Sequence, residues 1–296
     1  MSLKPRRSML FMPGSNPRAL EKARTLPADG LIFDLEDSVA PERKAQARQA
    51  VVEALRDARA GAYGTREIVV RVNGLDTPWG AADAAALVDG GAAALLFPKI
   101  RSPQDVDAAC AAMADAPPGL RLWAMIETAG GVLEAGAIAA RGPASRLSAF
   151  VLGLNDLARE TRVAPGPARA NLTPWILHCA LAARAHGLDL FDSVYNDFSD
   201  AEGFAAECAQ ARALGFDGKT LIHPAQIAPC NAAFAPSAQE IAWAVKVAGA
   251  FDLPDNADKG AVSIDGRMVE RLHIEPARRL LEMAEAIAAI QGSASA

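Results

Sequence analysis

Eight short apolar runs recur along the chain, over residues 8–12, 30–33, 68–72, 93–97, 122–126, 149–152, 188–191 and 220–222. Helix-like segments separate them, for example 17–25, 41–59, 103–113, 128–140, 173–186 and 200–214. Several of these open with the Ser, Thr, Asp or early proline that satisfies the free N–H groups of a helix start. A continuous apolar run suits a strand buried on both faces, so strands alternating with helices predict a parallel sheet covered on both sides. Eight such units predict a closed (β/α)8 barrel over residues 1–230, with a doubly wound sheet as the other topology compatible with the pattern.

With 296 residues, 51% of them hydrophobic, the chain is long enough for one large domain with a full core. The net charge of -5 and the lack of a basic patch give no reason to expect nucleic acid. The first residues lack the apolar core of a signal peptide, and no segment holds the ~18 uncharged apolar residues of a membrane helix. A cytoplasmic protein without a membrane partner is expected. Cys110, Cys179, Cys208 and Cys230 show no C-x-x-C spacing, and three of them lie in alanine-rich helical stretches, so they read as reduced packing residues.

A barrel carries its chemistry at the C-terminal ends of its strands. Those ends read Pro13-Gly14-Ser15-Asn16, then Asp34, Glu36 and Asp37, Arg71 and Asn73, Pro98-Lys99, Glu127-Thr128, Gly153-Leu154-Asn155-Asp156, Asp192, and His223-Pro224. Three carboxylates within four residues, Asp34 to Asp37, repel one another unless a metal, a proton or an arginine offsets them. Glu127 and Asp156 follow adjacent strands and offer hard oxygen ligands to one ion. Magnesium fits such a pair, whereas zinc would want histidine or cysteine. Glu36 and Asp37 would then hold water around the metal. Arg71, on the third strand, is expected to grip a substrate carboxylate through its two-pronged guanidinium; an internal ion pair with Asp34 or Glu36 is the alternative.

Seven segments together carry a resemblance. They are Arg7-Ser8-Met9-Leu10-Phe11-Met12-Pro13-Gly14-Ser15, Phe33-Asp34-Leu35-Glu36-Asp37-Ser38-Val39-Ala40-Pro41, Val70-Arg71-Val72-Asn73, Phe97-Pro98-Lys99, Ile126-Glu127-Thr128, Gly153-Leu154-Asn155-Asp156-Leu157 and Ile222-His223-Pro224-Ala225-Gln226-Ile227. In this order, over residues 6–270, the chain resembles the citrate lyase beta-subunit family, in the CoA-ester lyase branch of the HpcH/HpaI aldolase superfamily, which includes malyl-CoA and citramalyl-CoA lyases. The resemblance implies a magnesium-dependent TIM barrel assembled as a homotrimer or a pair of trimers. It also implies that Glu127 and Asp156 are metal ligands, that Arg71 holds the keto-acid carboxylate, and that Glu36 and Asp37 support the metal's waters.

The chemistry that the resemblance implies can also be argued on physical grounds. A β-hydroxy acyl thioester with a carboxylate on its hydroxyl carbon can chelate Mg2+, which lowers the hydroxyl pKa and orients the bond to be cleaved. Loss of the hydroxyl proton then expels a thioester enolate, which needs donors for its oxyanion. The reverse is a Claisen-type condensation, and the sequence fixes neither direction nor acyl group. The CoA arm would find positive charge at Arg18, Lys22 and Arg24, or at Arg43, Lys44 and Arg48, with the resemblance favouring Lys22. The His223-Pro224 turn is a candidate wall of the CoA channel.

Beyond the barrel, residues 231–296 are expected to form an extension with a helix at 236–250, a tight hairpin at Asp265-Gly266 and a last helix at 276–290. In the family resembled, such a segment covers a neighbouring subunit's active site and presents an aspartate in an Asp-x-Pro sequence as the acid–base group. Here Glu270-Arg271-Leu272 stands at that position, a longer carboxylate without the proline. Three functions compete: a Mg2+-dependent lyase of citramalyl-, malyl- or citryl-CoA, free or carrier-bound; a metal-dependent pyruvate aldolase; and a non-catalytic CoA-binding paralogue. An aldolase of that kind would want a histidine near the second strand, and none occurs before His178.

Overall fold

Each apolar run becomes one strand of a closed parallel barrel in the computed structural model, which describes residues 4–294. The strands are β1 (Ser8–Pro13), β2 (Gly30–Asp34), β3 (Glu67–Arg71), β4 (Ala94–Phe97), β5 (Arg121–Ile126), β6 (Leu147–Leu152), β7 (Asp189–Asp192) and β8 (Gly218–Leu221), and β8 closes on β1. The helices of this unit are α1 (Pro17–Ala23), α2 (Lys44–Arg59), α3 (Gly80–Leu87), α4 (Pro103–Ala112), α5 (Ala129–Leu133), α6 (Ala135–Ala139), α7 (Leu154–Thr161), α8 (Thr173–Ala185), α9 (Ala201–Ala213) and α10 (Ile227–Phe234). The doubly wound alternative is excluded.

The pleat sorts the side chains into two cores. Met9, Ile32, Val69, Leu96, Trp123, Met125, Val151 and Phe191 fill the barrel interior, where Trp123 stacks on Phe191 at 4.6 Å. Their neighbours one residue along, such as Leu10, Leu31, Phe33 and Val70, form the larger core under the helices. Arg6, Glu67 and Asp189 form an ion-paired group at the N-terminal ends of the strands. Every strand is therefore buried on both faces, which is why the runs are continuously apolar.

One helix expectation fails in an informative way. The segment 128–140 is two short helices broken at Glu134 (φ -94°, ψ 7°), not one. Gly130, Gly131 and Gly136 weaken it, and Gly131 packs where a Cβ would lie 2.4 Å from the Ile100 carbonyl oxygen. The first turn expected for α2 is a 3-10 turn, Pro41–Arg43.

The chain divides into two compact units, residues 6–234 and residues 4–5 with 235–294. The second unit consists of α11 (Ala238–Ala248), an antiparallel hairpin of β9 (Ala261–Ile264) and β10 (Arg267–Glu270), and α12 (Ile274–Ala294). Asp265 and Gly266 make its turn with φ of 50° and 78°, the left-handed pair a two-residue hairpin needs. Ala244, Val247, Phe251, Val269 and Ala277 form its core.

Candidate active site

The register of β2 and β3 sets Asp34 beside Arg71 at the C-terminal mouth of the barrel. Asp34 accepts from the Glu36 N–H (2.9 Å) and the Ser38 N–H (3.1 Å), so its side chain folds the acidic run into a turn. Arg71 donates from Nε and Nη2 to the two Asp34 oxygens at 2.7 Å each. Its Nη1 lies 2.9 Å from Glu36 Oε2 and 3.4 Å from Asp37, and the guanidinium covers the Phe11 ring at 4.8 Å. Burial opposes the Arg71 charge, but Asp34 and then Glu36 and Asp37 outweigh it and hold its pKa above the ordinary value. Burial likewise works against the Asp34 charge, and Arg71 overcomes it, so that pKa falls below the ordinary value. The internal pair is thus formed, and the two-pronged edge of Arg71 is spent on Asp34 rather than presented whole to a ligand.

Lys99 joins the opposite side of this cluster. It follows β4 with φ of 54°, an unusual conformation for a side chain with a Cβ. That backbone aims its N–H at Glu127 Oε1 (2.9 Å), while its ammonium pairs with Glu36. Glu127, at the end of β5, is fully buried, and its Oε2 has no hydrogen-bond partner. Gly153, at the end of β6, makes room for it: a Cβ there would lie 2.6 Å from that same oxygen. Burial first, and then the nearby Glu36, push the Glu127 carboxyl up to about 8, against the pull of Lys99 and Arg71. Asp156 stands in the first turn of α7, where it pairs with Arg159.

Arg71, Asp37, Glu127 and Asp156 line one cavity of about 440 Å³, walled by apolar groups including Phe11, Met125 and Ile222. Glu36 reaches the cluster through Arg71 and Lys99. The donor set fits a hard divalent cation: a buried carboxylate oxygen without a partner, and a second carboxylate on the wall of the same cavity. No group of three or more His, Cys, Asp or Glu converges on a metal-sized site among the described residues.

Other sequence candidates lie elsewhere. Arg18 and Lys22 are exposed on α1, and neither lines the cavity. His223 is half-buried, accepts from the Ala225 N–H through Nδ1 at 3.2 Å and stacks on Phe198; with Pro224 it opens a 3-10 turn beside Ile222. Asp192 is turned away from the mouth into a buried network with Lys219 and Arg169, both at 2.7 Å. Lys44 and Arg48 are not free for a CoA arm, because Lys44 is buried on backbone carbonyls and Arg48 pairs with Asp83. Glu270 belongs to the second unit, where it caps the 3-10 turn Arg271–His273 and its N–H donates to His273 Nδ1 at 2.9 Å. Sequence reasoning did not single out Ser193 and Asn196, which line the cavity, Asn196 in a reciprocal amide pair with Asn155. Their only signal was proximity to the end of β7.

A parallel (β/α)8 barrel with carboxylates and an arginine at its C-terminal mouth defines the class: a TIM-barrel protein with the site at the usual end. The profile of the HpcH/HpaI aldolase/citrate lyase family matches residues 7–224, and the chain belongs to that family. It is 49% identical over 289 residues to the (3S)-malyl-CoA thioesterase of Cereibacter sphaeroides strain KD131, covering 98% of each chain. To the citrate lyase subunit beta of Escherichia coli K12 it is 38% identical over 292 residues, covering 95% of this chain and 93% of the other. The crystal structure of the protein CitE from Mycobacterium tuberculosis, in complex with magnesium, acetoacetate and coenzyme A, superposes with a TM-score of 0.73 at 30% identity, covering 94% of this chain and 98% of that one. No helix of the described residues is long and apolar enough to cross a membrane.

Proposed function

We propose that this chain is a Mg2+-dependent carbon–carbon lyase that takes a 3-hydroxyacyl-CoA of the malyl, citramalyl or citryl type to acetyl-CoA and a 2-oxo acid, or runs the reverse condensation. The observation that carries the reading is the unpartnered Oε2 of buried Glu127, in a cavity that also holds Asp156 and Arg71. Such a site addresses the hydroxy-carboxylate end of the substrate, which is the end where the carbon–carbon bond breaks. Support comes from relatives that act on malyl-CoA or belong to citrate lyase, and from a structural neighbour holding magnesium and coenzyme A.

In this reading Glu127 and Asp156 hold Mg2+, which when bound supplies a Lewis acid for the substrate hydroxyl and carboxylate. Arg71, already anchored by Asp34, adds fixed positive charge beside the substrate carboxylate without having to reorganise. Glu36 and Asp37 accept hydrogen bonds from water around the cation, and Phe11, Met125 and Ile222 keep bulk water from the reacting carbon. Glu270 moves the proton, delivered by a neighbouring subunit in a cytoplasmic homotrimer or hexamer. Arg18, Lys22 and the His223-Pro224 turn receive the CoA arm.

Thioester hydrolysis of the same substrate is the second reading, favoured by the 49% identity to a malyl-CoA thioesterase over 98% of both chains. One assay separates the readings. The protein is incubated with Mg2+ and malyl-, citramalyl- or citryl-CoA while 2-oxo acid and free CoA thiol are followed together. Release of 2-oxo acid with acetyl-CoA and no thiol supports the lyase; thiol with the intact hydroxy acid supports hydrolysis. Turnover of none, with CoA bound by calorimetry, identifies a non-catalytic CoA-binding paralogue and overturns both.

A further inference from the structure

The acidic turn has a second side, away from the cavity, which the reading above does not use. Lys44, the first residue of α2, is only 6% exposed. A lysine ordinarily keeps its ammonium in water and buries only its stem. Here Nζ donates to the Leu35 carbonyl at 2.8 Å and to the Glu36 carbonyl at 2.7 Å, beneath the Trp79 ring at 5.3 Å. The Asn73 amide donates to the same Leu35 carbonyl at 2.9 Å. Asn73 is held in turn by fully buried Asp83 at 2.6 Å, and Asp83 by Arg48 at 2.6 Å. Two successive carbonyls of the turn are thus fixed from the helix side, while the side chains they precede meet Arg71 and Lys99.

We propose that Lys44 is a positioning residue: by holding the Leu35 and Glu36 carbonyls it fixes the peptide planes of the acidic turn, and so the aim of Glu36 and Asp37 toward the cation site. A polar group buried this deeply is costly unless its donors are used, and both acceptors here belong to the one turn that carries the site's carboxylates. The inference rests on the reading of Glu36 and Asp37 as supports of that site.

The test uses full-length Lys44→Met, which keeps most of the stem and loses the donors, and Lys44→Gln, which restores donor capacity without charge. Mn2+ binding is measured by the resonance of the free ion, and hydrogen exchange is measured at the Glu36 and Ser38 amides and in β5. Lys44→Met is expected to weaken Mn2+ binding about tenfold or more. It is also expected to speed exchange at the two turn amides while β5 stays protected, with Lys44→Gln falling between. A folded Lys44→Met protein with wild-type Mn2+ affinity, or with unchanged turn exchange, overturns the proposal even where its melting temperature drops. If the wild-type protein binds no Mn2+, the cation reading itself fails, and the exchange at Glu36 and Ser38 alone decides the role of Lys44.

Discussion

Glu127 concentrates the chemistry of the site in one side chain. With its pKa raised to about 8, it is mostly protonated at pH 7 in the metal-free protein, and if Glu127 is the cation ligand proposed above, a cation must displace that proton to bind. The apparent Mg2+ or Mn2+ affinity should therefore rise about tenfold per pH unit up to pH 8 and then level off, which titrations at pH 6, 7, 8 and 9 would show. The sign for stability follows from the same shift. The folded state binds the Glu127 proton more tightly than the unfolded chain, so its contribution is full below the ordinary carboxylate range. It is lost as pH rises through about 8. Glu127→Gln should remove this fall from the melting curves of the metal-free protein and abolish cation binding. Gly153→Ala reaches the same oxygen sterically, through a Cβ 2.6 Å away, and is expected to weaken cation binding about tenfold or more.

At the scale of elements, two buried charge networks divide the work. The cluster of Asp34, Glu36, Arg71 and Lys99 joins the ends of β2, β3 and β4 around the cavity. Lys219, Asp192, Arg169 and Glu207 instead tie β8 and β7 to α9 and to the segment before α8. Asp34 and Asp192 both stand at the end of a strand and looked alike in sequence. Lys219→Met would leave Asp192 buried with half its compensation, at an expected loss of about 3–5 kcal/mol in chemical denaturation. Cation affinity of the folded protein should change less than about tenfold, because the network reaches the cavity wall only through the Ser193 carbonyl and pairs with neither Glu127 nor Asp156.

The whole molecule adds a question that neither network answers. The barrel unit supplies Glu127, Asp156 and Arg71, whereas Glu270 stands on the hairpin unit. If Glu270 carries the proton, Glu270→Gln should lower kcat at least a hundredfold, the low end of general acid–base effects, and leave CoA and Mn2+ binding unchanged. Retained turnover would remove Glu270 from the mechanism and return attention to the carboxylates of the mouth.

The eight strands and their order were legible because a strand buried on both faces needs an unbroken apolar run; the largest shift in a boundary is two residues, as where β6 begins at Leu147 rather than 149. Glu127 and Asp156 were legible as neighbours because strand order places their elements side by side. What the sequence could not fix was which way each strand-end side chain faces. Ile32 points into the barrel and carries Asp34 with it, two residues on, whereas Phe191 points inward and turns Asp192 out. In a continuous apolar run both alternating sets are hydrophobic, so the pattern does not mark which is interior. The same holds for the cations: Arg71 chose Asp34, and Lys44 chose two carbonyls, only once neighbouring strands and helices had fixed the distances. The sequence alone determined eight strands alternating with helices, because burial on both faces is written residue by residue; closure of β8 on β1, which excludes the doubly wound sheet, was decided by the tertiary structure. Tertiary packing alone decided which charges meet, because pairing depends on orientation within an ångström or two.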